Sequence, residues 1–255
     1  MDMIRFIAPL LIALAASTAS ADVPLTRTAG GQLAAPVAIA GAMGVFVIDT
    51  GAKDCAVNLR FAGAHHLSLR GDAGVVAPRV EIDGQSLGDL SCKAMLADTD
   101  IDGVIGADAL KRFVVTFDTR AMRLGLHGGA QHGQALVSPR ARLIDARILP
   151  GALMTVPVRL NSAVGVAVLD TGAARSVFNA RFAEAGGVRP MATRLGAFDL
   201  AGRVTPAIEG PVADPPMFKT LRLADRPAMI LGLDRLAGLR LVIDYPRRRI
   251  WFDPG

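Results

Sequence analysis

The chain has 255 residues, 51% of them hydrophobic, and a net charge of +5 from 28 Lys+Arg against 23 Asp+Glu. That length supports one large or two small domains with real cores. The basic residues are scattered, and one Trp and one Tyr supply almost no stacking platform, so no nucleic-acid partner is expected.

Residues 1–21 read as an export signal. Arg5 precedes an apolar stretch over 6–16, and Ala19-Ser20-Ala21 has the small-residue pattern of a cleavage site. The stretch is shorter than the ~20 residues that cross a bilayer. The expectation is therefore a signal peptide that is removed, no stable membrane anchor, and an exported product, periplasmic or secreted, starting near Asp22. Residues 22–31 form a polar leader predicted to be loosely held.

Beyond it, 36–39 and 44–48 predict two strands joined by a Gly41-Ala42-Met43 turn. The second strand runs straight into Asp49-Thr50-Gly51-Ala52. An ionised Asp avoids apolar surroundings unless something offsets its desolvation. Asp83-Gly84 between alternating segments is a strong hairpin signal. A short helix is predicted over 107–112, then strands over 114–118 and 123–126. The Gly-rich stretch from His127 opens a linker, 127–147, between halves 22–126 and 148–255. In the second half, 156–160, a turn at Asn161-Ser162 and 165–169 repeat the opening hairpin, and Asp170-Thr171-Gly172-Ala173 follows. Arg247-Arg248-Arg249 reads as a solvated turn after Asp244-Tyr245-Pro246.

The repeat is larger than the motif. A shift of 121 positions aligns 36–62 with 157–183 without a gap, matching Pro36/Pro157, Gly44/Gly165, Asn58/Asn179 and Phe61/Phe182. At a shift of 126, Val104-Ile105-Gly106 parallels Ile230-Leu231-Gly232. A period this long marks a duplicated domain rather than a solenoid.

Both cysteines, Cys55 and Cys92, lie in the first half, and Ser176 occupies the place of Cys55 in the second. Export permits a disulfide, while two free thiols buried as small apolar residues are the alternative the sequence leaves open. The four histidines show no metal-ligand spacing, and no metal or other cofactor is expected.

An apolar strand ending in Asp-Thr-Gly-Ala, with an apolar-apolar-Gly downstream, and all of it twice, resembles the retropepsin/pepsin group of aspartic peptidases. The resemblance implies an all-β chain of two homologous closed β lobes, with short helices after the apolar-apolar-Gly motifs. It implies a catalytic dyad of Asp49 and Asp170, supported by Thr50, Gly51 and Ala52 and by Thr171, Gly172 and Ala173. The activity implied is endopeptidase cleavage of a peptide or protein substrate by an activated water. Neighbouring strands in such lobes imply a Cys55–Cys92 bridge. Pepsin-like enzymes usually carry Ser or Thr where Ala52 and Ala173 stand, which places the chain nearer retropepsins and implies work at mildly acidic to near-neutral pH.

Distance from Asp49 places a candidate flap at Gly71, Asp72, Ala73 and Gly74, where an ordinary exposed loop fits as well. A second flap is not placed. Two further arrangements follow from the same residues: a non-catalytic peptide-binding or scaffold module of this fold, and a homodimer in which each half pairs with its counterpart in another chain, against the expected monomer.

Overall fold

The computed structural model describes residues 22–71, 73–97, 99–189 and 194–255, so the candidate export signal at 1–21 and Asp72 of the candidate flap lie outside the described residues. The chain is an all-β fold of three sheets with five short α-helices among the described residues.

The first half builds an eight-stranded sheet. Its order runs Thr26–Arg27, Leu33–Ile39, Ala42–Ile48, Gly103–Ile105, Ala56–Asn58, Gln85–Met95, Gly74–Ile82 and Leu69–Arg70. An added pairing of Leu33–Ile39 with Gly74–Ile82 closes it on itself. The second half repeats the theme in a sheet of Val177–Phe178, Ala228–Leu231, Ala163–Leu169, Met154–Leu160, Arg194–Leu200 and Arg203–Glu209, with Arg147–Ile148 joined to Met154–Leu160. A third sheet takes strands from both halves, in the order Val23–Pro24, Arg123–His127, Val114–Asp118, Arg240–Asp244, Arg249–Asp253 and Arg142–Asp145. At its centre Val114–Asp118 and Arg240–Asp244 run antiparallel, Thr116 facing Val242.

Alternation sets the faces. In Ala42–Ile48, Met43 and Val45 are exposed while Phe46 and Ile48 enter the core, and Val47 is buried too where the strand passes inward. One hydrophobic cluster runs through both halves, from Leu33 and Phe46 to Phe182, Leu231 and Phe252. The repeated Asn58 and Asn179 cap equivalent helices, Leu59–Ala64 and Ala180–Ala185. Asn179 accepts from Phe182 N (2.8 Å) and Ala228 N (3.0 Å) and donates to Arg226 O (2.8 Å), so it satisfies the helix end and ties it to the neighbouring strand.

Several local expectations shift. The first turn is Ala40-Gly41, both left-handed (φ 53° and 87°), and Ala42 and Met43 already belong to the strand. Asp83-Gly84 does form a two-residue turn with both φ positive, 50° and 73°. The first post-Gly helix is only Ala107–Leu110. The leader is held: Val23 and Leu25 are buried, and Val23–Pro24 pairs with Arg123–His127. The 127–147 segment is more than a connector, since Arg142–Asp145 is an edge strand against Arg249–Asp253. Arg247 is not a solvated cation. Its guanidinium reaches Asp244 Oδ2 (3.2 Å), Gln131 O (3.0 Å) and Gly129 O (3.2 Å), pinning the Gly-rich stretch to the central hairpin.

Cys55 and Cys92 form a disulfide across 37 residues. It ties the segment after Asp49 to the Gln85–Met95 strand, where Lys93 N also donates to Cys55 O (2.9 Å). Closing a loop of that length stabilises by about 4 kcal/mol in the chain-entropy account. Reduction, or Cys55→Ser with Cys92→Ser, is expected to lower the melting temperature by roughly 10 °C, read by circular dichroism with and without reductant. An unchanged transition would contradict that expectation.

Candidate active site

Each Asp loop is built by a parallel strand pair. Ala42–Ile48 runs beside Gly103–Ile105 with Ile48 opposite Ile105, and Ala163–Leu169 runs beside Ala228–Leu231 with Leu169 opposite Leu231. Asp49 N donates to Ile105 O (2.9 Å) and Asp170 N to Leu231 O (3.0 Å). The chain then turns over the start of the next helix, where Ala107 N donates to Ala52 O (2.8 Å) and Leu233 N to Ala173 O (2.9 Å). This explains the glycine of each apolar-apolar-Gly. A Cβ on Gly106 would stand 2.9 Å from Ala52 O, and one on Gly232 would stand 2.7 Å from Ala173 O.

The two loops interlock through their threonines. Thr50 Oγ1 donates to Leu169 O (2.9 Å) and accepts from Thr171 N (3.0 Å). Thr171 Oγ1 donates to Ile48 O (2.7 Å) and accepts from Thr50 N (3.1 Å). Both threonines are buried, so the four bonds form away from water, where an unmade one is costly.

The lock brings the carboxyls of Asp49 and Asp170 together within one chain, in hydrogen-bonding reach of each other. Each lies over the other loop's glycine: a Cβ on Gly51 would overlap the Asp170 carboxyl, and a Cβ on Gly172 would overlap that of Asp49. Only glycine admits this approach.

The pair is not electrostatically symmetric. Asp49 Oδ1 accepts from Gly51 N (2.7 Å) and Ala52 N (3.0 Å), which favours its charged form, although burial still raises its pKa above the ordinary carboxylate value. Asp170 is 6% exposed and its Oδ1 is buried without a partner among the described residues. Burial first, then the charge of Asp49, pushes Asp170 up to about 8. Both carboxyls are raised, so the two acids hold one proton between them and titrate as a coupled pair.

Around the pair the halves differ. In the second, Ser176 Oγ donates to Asp234 Oδ1 (2.6 Å) and accepts from Gly232 N (3.0 Å). In the first, the disulfide occupies that place, and Asp108, the counterpart of Asp234, keeps a buried Oδ1 without a partner and a pKa raised by burial.

The candidate flap is not a protruding lid among its described residues. Gly71 and Ala73 close a turn between Leu69–Arg70 and Gly74–Ile82, and Gly74 also faces Lys93 in the same sheet. Ala94 N donates to Ala73 O (2.8 Å). A ladder of two residue pairs cannot extend a hairpin far beyond the sheet that bears it.

Tyr245 was placed by its sequence only in a turn, yet it is buried. Its hydroxyl has no partner among the described residues, and burial together with the charge of Asp49 raises the phenol pKa. The signal available was the shift of 126, which sets Tyr245 opposite Thr119. Thr119 Oγ1 donates to Leu239 O (2.8 Å), so the equivalent position in the first half also carries an inward hydroxyl.

No protein-family model matches the chain, and no curated protein matches it. Among solved structures, it is similar to conglutin gamma from lupine seeds, described as a unique basic 7S globulin. The match covers 92% of this chain and 94% of that one, with a TM-score of 0.55 and 11% identity. A likeness at that identity speaks to the fold.

Two stability measurements test the geometry. Thr50→Val strands Leu169 O and Thr171 N, and is expected to cost about 2–4 kcal/mol in denaturant unfolding; a loss below 1 kcal/mol would argue against the lock. For Asp170 the folded pKa lies above the ordinary value of 3.8. Its contribution is thus fully present below that value and is lost as pH rises through about 8. Asp170→Asn, which cannot ionise, should melt higher than the parent at pH 8, with the gap closing toward pH 4. A constant gap would contradict the raised pKa of the pair.

Proposed function

We propose that the protein is an exported aspartic endopeptidase whose two halves are retropepsin-like lobes sharing one dyad, Asp49 and Asp170. The observation that carries the reading is the reciprocal seating of each carboxyl on the other loop's glycine. Capping a tight turn needs no second loop, whereas two carboxyls in mutual contact, one charged and one protonated, form an acid–base pair.

In this mechanism the Asp49 carboxylate takes a proton from a water lodged between the two side chains. The resulting hydroxide attacks the carbonyl carbon of the scissile peptide, while Asp170 gives its proton to the carbonyl oxygen. Collapse of the tetrahedral species returns a proton from that oxygen to Asp170. The proton now on Asp49 passes to the departing nitrogen, leaving one carboxylate and one carboxyl as at the start. The backbone N–H groups of Gly51 and Ala52 hold Asp49 in place and keep it ionised. The threonine lock fixes the distance between the two acids.

Conglutin gamma is described as a globulin, so the shared fold is no warrant for catalysis by itself. The intact pair favours a peptidase over a non-catalytic binding module of the same fold. Because both carboxyls come from one chain, the reading does not call for a homodimer.

Hydrolysis of an unstructured protein tests it. Asp49→Asn and Asp170→Asn are each expected to lower turnover by about 10³-fold or more, with far-UV circular dichroism unchanged. Activity should require Asp49 ionised and Asp170 protonated. The acid limb then lies above the ordinary carboxylate value, and the alkaline limb falls through about 8. An optimum near pH 2, or full activity in either variant, would defeat the proposal.

A further inference from the structure

A cavity of about 610 Å³ opens away from the Asp loops, where the central sheet meets the Arg194–Leu200 and Arg203–Glu209 hairpin of the second half. Its accessible apolar lining is Pro139, Ala141, Ala201 and Pro254, over a base of buried Leu200, Leu239 and Phe252. Three arginines from two separate stretches of chain also line it: Arg140 and Arg142 from the start of the Arg142–Asp145 edge strand, and Arg203 from beyond the Ala201-Gly202 turn. No Asp or Glu is among the lining residues, although Asp199 stands behind the lining, accepting from Gly202 N (2.7 Å).

All three arginine side chains are exposed to solvent at the mouth of the cavity. The five ion pairs among the described residues include none of them. Arg140 reaches only Gly255 O, at 3.4 Å, and the guanidiniums of Arg142 and Arg203 have no hydrogen-bond partner among the described residues. Guanidiniums sharing one recess repel each other, and an anion placed between them turns that repulsion into charge-assisted hydrogen bonds. The apolar lining is matched by a body that leaves water to cover it. The volume falls in the range of small-molecule sites.

We propose that this cavity binds a small amphipathic anion in free solution. A single carboxylate, sulfate or phosphate head is held by Arg142 and Arg203 with Arg140 at the edge, and its apolar body lies on Pro139, Ala141, Ala201 and Pro254. Since Arg142 and Arg203 belong to different sheets, the occupant braces the central sheet against the second half. The proposal is independent of the peptidase reading, and the site is the same whether or not the Asp pair is catalytic.

Isothermal titration of the full chain with monomeric dodecanoate tests it, with dodecanol as the uncharged counterpart. One saturable site is expected, with dodecanol at least tenfold weaker. Arg142→Gln and Arg203→Gln should each weaken dodecanoate about tenfold or more, while Arg181→Gln, outside the cavity, changes nothing. Asp49→Asn should bind as the parent does. Absence of saturation, equal affinity for dodecanol, or indifference to both cavity substitutions would overturn the proposal. The dodecanol comparison on the parent chain keeps it testable if a variant fails to fold. Sedimentation with phosphatidylglycerol vesicles without binding of monomeric dodecanoate would overturn it in favour of a lipid surface.

Discussion

Two carboxyls buried against each other cannot both be ionised at ordinary cost, and the arrangement around Asp49 and Asp170 is organised by that constraint. One acid must be solvated by the protein and the other discharged. Gly51 N and Ala52 N supply the first condition by pointing at Asp49 Oδ1. The unpartnered, buried Asp170 Oδ1 and the adjacent charge supply the second. Left to themselves the loops would separate and let water relieve the strain. The threonine exchange resists this, because separation would strand two hydroxyls, two backbone N–H groups and two carbonyls together.

Such a lock holds only if the frames behind it are stiff. The frame is the central sheet, which pairs Val114–Asp118 with Arg240–Asp244 and so bonds the halves edge to edge. Thr119 N and Leu239 N extend the joint past the strand ends, each donating across the boundary. Val23–Pro24 and Arg142–Asp145 widen the sheet on either side. Relative motion of the halves would have to break this ladder, so the carboxyl spacing is set by the backbone.

What the sequence disclosed was local or repeated. Asp49 and Asp170, their glycines, the threonines and the capping asparagines stand at equal offsets, because each half needs the same close approaches and the same helix caps. Asp83-Gly84 was legible because its turn chemistry is contained in two residues. The missed features depend on partners remote in the chain. Arg142–Asp145 is a strand only because Arg249–Asp253 lies beside it, and the leader is ordered only by Arg123–His127 and Leu33–Ile39. The 71–74 turn had the right distance from Asp49 for a flap. Only the pairing of Gly74 with Lys93 assigns it to the body of the sheet. Tyr245 carried no pattern of its own, and its burial follows from the hairpin that contains it.

Duplication would by itself give two identical acids, and identical acids share a proton evenly. The two halves differ close to the pair. Ser176 hands its hydroxyl to Asp234, whereas Cys55 is drawn to Cys92 and leaves Asp108 short of a donor. On the other side of the pair, Tyr245 brings a buried phenol into the field of Asp49, while its counterpart Thr119 spends its hydroxyl on Leu239 O. Both differences leave the threonine lock and the seating of the carboxyls in place. The threonine lock is symmetric, and the asymmetry next to the acids lies in their own donors: Gly51 N and Ala52 N point at Asp49 Oδ1, while Asp170 Oδ1 has no donor among the described residues.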